Sequence, residues 1–375
     1  MTKNKINLNI LIPITLLAII SIITISSAST YISKSLGNLA LKQTLWYLIG
    51  TILVLILIKL KNQYLYQKTW LLYILGNILL LGLLFFGTPI NNSRCWYIIP
   101  GIGSFQPSEF MKIFLMLTLA TMIHNFRSNH QNPTIRDEFI FILKTLIIVL
   151  IPSVLTFLEP DTGAVIIYFV IYFCMMFLSG IRLRWFIIAF TIVVTILSII
   201  LGIYFFNQEL FIDTFGTKLF YRLDRIFSWQ NGSGLQLENA LAAIGSAGLF
   251  GHGYNKTPIY FPESGTDFIF AVYASNFGLI GSLILIGIIV YLDISIIRLA
   301  KRKINDTDKY IIGGILGMLL FQQIQNISMT IGLLPITGIT LPFVSYGGSS
   351  LLSYMLLVGI LMNISTEKTK HYKYK

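Results

Sequence analysis

Five ionisable side chains lie inside or beside long apolar runs, where ionisable groups are expensive and tend to be functional. Asp267 closes the stretch Glu263-Ser-Gly-Thr266-Asp267-Phe and opens an apolar run. A carboxylate there caps the free N–H groups of a helix or takes a proton as a general base, and the two roles are compatible. Glu109 and Lys112 follow Pro107 at i, i+3 and share a helix face. They form either an internal ion pair or a cavity-facing pair whose lysine meets an anionic ligand. Asp161, in Glu159-Pro-Asp161-Thr-Gly163, starts another helix from a short turn, with N-capping as its simplest role. Arg94 and Trp96, in Ser93-Arg-Cys-Trp96, suit either a bidentate phosphate contact or an anchor at a membrane interface.

The elements that must hold these groups follow from composition. Of 375 residues, 55% are hydrophobic and 11% charged, too few charges to cover a water-facing surface. Apolar runs near 8–28, 44–60, 69–87, 107–124, 138–158, 163–180, 185–206, 268–297, 309–331 and 349–364 are each long enough to cross a bilayer. The expected fold class is therefore an all-α integral membrane protein of about ten transmembrane helices, one polytopic domain over residues 1–375. With the N-terminus inside, the cytoplasmic segments hold eighteen of the 27 Lys and Arg residues and the outer segments hold seven. Lys112 and Lys144 lie within helices. This bias places both termini in the cytoplasm and makes the net charge of +12 a topology signal, not a nucleic-acid footprint. The first apolar run reads as a span, since no cleavage pattern clearly follows it. His124, His130, His252 and His371 are expected to be solvated, and no His/Cys cluster has metal-ligand spacing.

Two outer connections are long. Residues 88–106 read as a Gly/Pro/Asn-containing loop, and residues 207–267 as a loop with short amphipathic helices. The segment from Lys218 to Trp229 mixes cations with aromatics, as headgroup-layer segments do. All four chemistry-bearing features fall on the outer side, a pattern that fits one outward-facing polar cavity for an amphiphilic substrate with an anionic part.

Phe105-Gln106-Pro107-Ser108-Glu109-Phe-Met-Lys112, Ala243-Ile-Gly245-Ser-Ala-Gly248-Leu-Phe-Gly251, Pro262-Glu263-Ser-Gly-Thr266-Asp267-Phe-Ile-Phe270 and Leu341-Pro-Phe-Val-Ser345-Tyr-Gly-Gly348 occur in this order. Together they resemble the signature segments of the SEDS proteins, the shape, elongation, division and sporulation group. The Arg94 and Asp161 segments are looser matches. Pro335-Ile-Thr-Gly338 leans towards the RodA-like branch.

The resemblance implies a multi-pass peptidoglycan glycosyltransferase of the bacterial cytoplasmic membrane. Its substrate would be lipid II, an undecaprenyl-diphosphate-linked disaccharide-pentapeptide, and its partner a class B penicillin-binding protein transpeptidase. It marks Asp267 as the catalytic residue of an inverting transfer, with Lys112 and Arg94 as candidates to stabilise the leaving diphosphate. Trp96, Gln106, Glu109, Asp161, Glu263, Thr266 and Ser345 complete the expected substrate-binding set. A divalent cation, Mg²⁺ or Mn²⁺, held partly by substrate phosphates and by Glu109 or Asp161, would do similar work, and no organic cofactor is expected. Gly265 stands where the family usually has histidine, and Ser275-Asn276 where an acidic pair is common. The rival readings are a lipid II transporter and a non-catalytic scaffold of the cell-wall machinery.

Overall fold

The computed structural model describes residues 7–29, 38–90, 93–100, 103–227, 235–302 and 305–366. Trp229, His371 and the charge-sorting lysines 3, 5, 34, 303, 368, 370, 373 and 375 lie outside them. In chain order the helices are α1 (Leu8–Ser29), α2 (Leu39–Leu60), α3 (Asn62–Gln67), α4 (Thr69–Phe86), α5 (Pro107–Asn129), α6 (Ile135–Leu158) and α7 (Thr162–Leu178). They continue with α8 (Leu183–Phe206), α9 (Gln208–Phe215), α10 (Thr217–Phe227), α11 (Leu235–Gly245), α12 (Ile269–Ala300), α13 (Asp306–Thr330) and α14 (Gly348–Thr366). Among the described residues, eight helices are long and apolar enough to cross a membrane: α1, α2, α4, α6, α8, α12, α13 and α14. Of the other expected spans, α7 is apolar but shorter, at 17 residues, while α5 carries Glu109, Lys112 and Arg127. This is an integral membrane protein whose regular structure is dominated by helices, because only helices and closed barrels satisfy the backbone inside hydrocarbon.

One expectation needs correction. The first outer loop is not irregular: β1 (Thr88–Ile90), β2 (Ser93–Ile99) and β3 (Gly103–Phe105) form an antiparallel sheet in the order β1-β2-β3. The period-two signal is short and interrupted by Pro and Gly. On β2, buried Cys95 alternates with exposed Arg94 and half-buried Trp96.

The core is built on α5 and α14, both buried along most of their length, with α7 and α13 packed around them. By contrast, α8 buries only Tyr204, leaving its apolar surface to the surrounding lipid. The long outer connection contains α9, α10 and α11, and α11 packs on α12 through Leu237, Ala240 and Ala243.

Helix α12 is broken at Gly278, whose φ is 66°. The segment 246–253 fills the break. His252 N–H and Gly253 N–H donate to the carbonyls of Ser275 and Asn276 at 2.9 and 3.0 Å, and the freed N–H groups of Leu279 and Ile280 donate to Gly248 and Leu249, both at 3.1 Å. Backbone released at membrane depth is thus satisfied by protein. Ser275 and Asn276, at the positions of the family's acidic pair, are neutral and buried, and the Asn276 amide bonds Ser27 and Thr257 at 2.7 and 2.9 Å. The histidine expectations also change. His252 is half-buried with Nδ1 3.0 Å from the Ser275 carbonyl, and His124 lies within α5, half-buried. Only His130 of the described three is exposed.

The close crossing at the break demands glycine twice over. A Cβ at Gly278 would lie 2.4 Å from Gly251 N and 2.5 Å from the Leu249 carbonyl oxygen, at a φ that L side chains avoid. Gly278→Ala should therefore cost at least about 2 kcal/mol and lower the melting temperature in detergent. Gly202→Ala on α8, with nothing within 4 Å of its Cβ, should not lower it. Equal melting temperatures for the two variants would contradict this account of the break.

Candidate functional site

The turn that carries Asp267 is closed by its own backbone. Thr266 N–H and Phe268 N–H both donate to the Glu263 carbonyl, at 3.2 and 3.1 Å, and Glu263 takes a left-handed φ of 53° to receive them. Helix α12 therefore starts one residue later than a capping Asp267 would require. Its N-cap is Phe268, with no side-chain cap bond. The Thr266 hydroxyl donates instead to the Glu263 carboxylate at 2.7 Å. Of the two readings of Asp267, capping is set aside: among the described residues none hydrogen-bonds its carboxylate.

The rest of this turn is tied down. Ser345 Oγ donates to the Thr266 carbonyl at 2.6 Å and accepts from Leu341 N–H at 2.9 Å, while Tyr346 N–H donates to the Gly265 carbonyl at 2.9 Å. Ser345 is buried, so its hydroxyl joins two loops and is not open to a ligand. From below, α1 and α2 hold the 341–348 segment: Ser21 bonds the Val344 carbonyl at 2.8 Å, Gln43 the Ser345 carbonyl at 3.2 Å, and Tyr47 the Phe343 carbonyl. The segment 334–340 covers the carboxylate, with a Cβ at Gly338 falling 3.6 Å from Asp267 Oδ2. Half-buried in this setting, the Asp267 carboxyl has its pKa raised to about 7, first by loss of water and then by the negative charge of Glu263.

A second cluster sits near the N-terminal ends of α5, α7 and α14. Asp161 does cap α7, accepting from Ala164 N–H at 3.0 Å. It also accepts from Gln106 Nε2 at 2.9 Å and Ser108 Oγ at 3.0 Å, which fastens the start of α5 to α7. Burial raises its pKa; the bonds from Ala164, Ser108 and Gln106 oppose this, and the charge of Glu109 adds to it. Glu109 and Lys112 form the internal ion pair at 2.7 Å, with Ser353 Oγ 3.3 Å from the same carboxylate and Lys112 Nζ 5.7 Å from the centre of the Tyr354 ring. Lys112 is 1% exposed, so the alternative of an open cation is not what the structure holds. Removing either partner would strand the other charge, at about 3–5 kcal/mol.

The two clusters share one loop. A Cβ at Gly163, beside Asp161, would come within 3.2 Å of both the Thr337 carbonyl and Ile339, in the same segment that covers Asp267. Arg94 stands apart on the sheet, exposed, with no ion-pair partner among the described residues. Cys95, next to it on β2, ties the sheet to the Asp161 cluster by donating from Sγ to the Glu159 carbonyl at 2.9 Å. Glu263 is exposed and can meet a ligand; Gln106 is half-buried and committed to Asp161.

The residues expected to hold a metal do not fit that task. Glu109 is engaged by Lys112 and Ser353, Asp161 accepts three bonds, and no group of three or more His, Cys, Asp or Glu residues could hold an ion among the described residues.

Sequence reasoning missed three contributors. Ser353 and Tyr354 look like ordinary members of an apolar helix, and Glu159 stands out in sequence only as the residue two before Asp161. Glu159 is fully buried, and neither carboxylate oxygen has a hydrogen-bond partner among the described residues. Burial, and then the neighbouring Asp161, raise its pKa to about 8.

Comparison with known proteins adds independent findings. The FtsW/RodA/SpoVE family model, described as "Cell cycle protein", matches residues 7–370. A Coxiella burnetii protein named probable peptidoglycan glycosyltransferase FtsW is 37% identical over 312 residues, covering 79% of this chain and 78% of its own. A Lactococcus lactis protein of the same name is 31% identical over 398 aligned positions, covering 98% and 94%. Among solved structures, a chain from a peptidoglycan synthase complex superposes with a TM-score of 0.79 at 22% identity, over 96% of this chain and 97% of its own. The rod shape determining protein RodA of Thermus thermophilus does so with a TM-score of 0.68 at 24% identity, over 96% of each chain. The fold is shared with both.

The unpartnered Glu159 carboxyl has a consequence for stability. Its folded-state pKa of about 8 exceeds the ordinary 4.5, so the cost of ionising it is absent below pH 4.5, grows between the two values and is complete above pH 8. The stability gained by Glu159→Gln over the native chain should therefore widen from pH 5 to 8 and then level off. A pH-independent difference in melting temperature would show that Glu159 is ionised throughout.

Proposed function

The chain belongs to the FtsW/RodA/SpoVE family, the SEDS proteins, and from that premise we propose that Asp267 is the general base of its glycosyl transfer. The protein is a peptidoglycan glycosyltransferase of the bacterial cytoplasmic membrane, acting in cell-wall synthesis. Its proposed substrate is lipid II, taken by its sugar and diphosphate groups at the outer surface.

The reaction joins an acceptor sugar hydroxyl oxygen to the anomeric carbon of a donor. The bond from that carbon to the lipid diphosphate breaks with inversion, and the electron pair leaves with the diphosphate. The hydroxyl proton goes to a base. One observation carries the assignment of that base to Asp267: its backbone turn is held from several sides, yet its carboxylate accepts no hydrogen bond among the described residues and keeps part of its surface open. A pKa of about 7 suits it, since a base is most effective when its pKa lies near the operating pH.

The leaving diphosphate needs positive charge. Arg94 is the better candidate of the two cations, being exposed while Lys112 is sealed against Glu109. Lys112 then acts through Glu109, keeping one negative charge beside Asp161 neutralised. Glu263 and Thr266 are proposed to meet the sugar through their mutually bonded side chains, and Trp96 to lie along the lipid-facing edge of the sheet. Asp161, Gln106 and Ser345 serve by holding the frame. A divalent cation, if used, would arrive on the substrate phosphates, and no step above depends on it. A class B penicillin-binding protein is the proposed partner, a reading supported by the related chain from a peptidoglycan synthase complex. The lean of Pro335–Gly338 towards the RodA-like branch finds no support in the relatives named FtsW.

The test is glycan synthesis from labelled lipid II by the purified protein with its partner. Asp267→Asn should lower the rate at least about 100-fold, with folding intact because no bond to the carboxylate is lost. Full activity in that variant would end the base assignment. A wild type that makes no glycan but moves lipid II across vesicle membranes would favour transport.

A further inference from the structure

Asp267 owes its place to a side chain no motif drew attention to. Asn326, on α13 and fully buried, donates from Nδ2 to two carbonyls, Asp267 at 2.8 Å and Ile339 at 2.8 Å. Both partners can only accept, so the orientation of the amide is determined: the nitrogen faces them and the oxygen faces away. That orientation leaves Oδ1 buried without a partner among the described residues. An unsatisfied buried acceptor is costly, and a residue that existed only to pack would not carry one. The two recipients lie on different segments. One is the backbone of Asp267, just ahead of α12; the other belongs to the loop whose Gly338 sits over the Asp267 carboxylate.

We infer that Asn326 is a positioning residue for the transfer reaction, setting the distance between the Asp267 carboxylate and the 334–340 loop by holding both backbones with one amide. The inference rests on Asp267 being the base. Without Asn326, the Asp267 and Ile339 carbonyls lose their partner and the loop is free to lift from the carboxylate. Water then reaches the carboxylate. Gln325, one residue earlier, holds the same loop through the Pro335 carbonyl at 2.9 Å but does not touch Asp267, and Glu263 is the charged neighbour acting on the carboxylate.

The experiment compares Asn326→Ala, Gln323→Leu and Asp267→Asn in steady-state polymerisation of lipid II across pH. Gln323 is the control, a buried amide on the same helix whose partner is Asp293 at 3.2 Å. Asn326→Ala should lower kcat at least about tenfold with KM within about threefold, and shift the acid limb of the pH–rate profile to lower pH. Gln323→Leu should leave that limb in place. Should Asn326→Ala fail to insert, Asn326→Ser keeps one donor in the smaller volume and should show the same shift, reduced. Native kcat with an unshifted limb in the Asn326 variant overturns the inference, as does an equal loss in both amide variants with no shift. Activity retained by Asp267→Asn would instead overturn the base assignment on which it rests.

Discussion

Backbone that leaves a helix at the edge of hydrocarbon must find its hydrogen-bond partners within the protein, and the outer half of this molecule is organised by that requirement. The 262–268 turn, the 334–340 loop and the 341–347 segment carry no regular structure, and each is held by side chains from elsewhere. Ser21, Gln43 and Tyr47 reach up from α1 and α2, Asn326 from α13, and Ser345 joins the turn to its neighbour. The backbone of Asp267 is fixed as a by-product of this knitting. Its carboxylate is what remains unspent, desolvated enough to hold a proton near neutral pH and open enough to exchange one.

The other ionisable groups show the opposite treatment. Lys112 and Glu109 neutralise each other in the wall formed by α5 and α14, Asp161 spends both oxygens on three donors, and Glu159 is buried outright. Charges that are paired, hydrogen-bonded or sealed from solvent build the frame, and those both uncommitted and open are available for chemistry. By that criterion Arg94 and Asp267 are the proposed working pair, one a cation on the sheet and the other a carboxylate beneath a loop. The break in α12 follows the same logic at greater depth, where segment 246–253 supplies what the helix gives up at Gly278.

Much of this was legible in the sequence. Long apolar runs separated by asymmetrically distributed cations give the helical membrane fold, and the acids and cations at helix ends gather the candidate site. The small sheet at 88–105 was not legible, because its alternation spans only a few residues between Pro and Gly. The local sequence around Asp267 suits a cap, but Glu263, in a left-handed conformation, draws the first N–H groups to its own carbonyl and moves the N-cap to Phe268. Asn326 could not have been singled out at all. Its partners lie 59 and 13 residues away, and a polar residue inside α13 gives no sign of which carbonyls it will meet.

Burial holds the Asp267 carboxyl close to half-protonation at neutral pH while, among the described residues, nothing binds its oxygens. Infrared difference spectroscopy of the carboxyl C=O stretch, native protein against Asp267→Asn, measures this directly. The account predicts a protonated-carboxyl band, absent from the variant, that titrates away with a midpoint near pH 7. A band already lost by about pH 5, in the range of an ordinary aspartate, would contradict it.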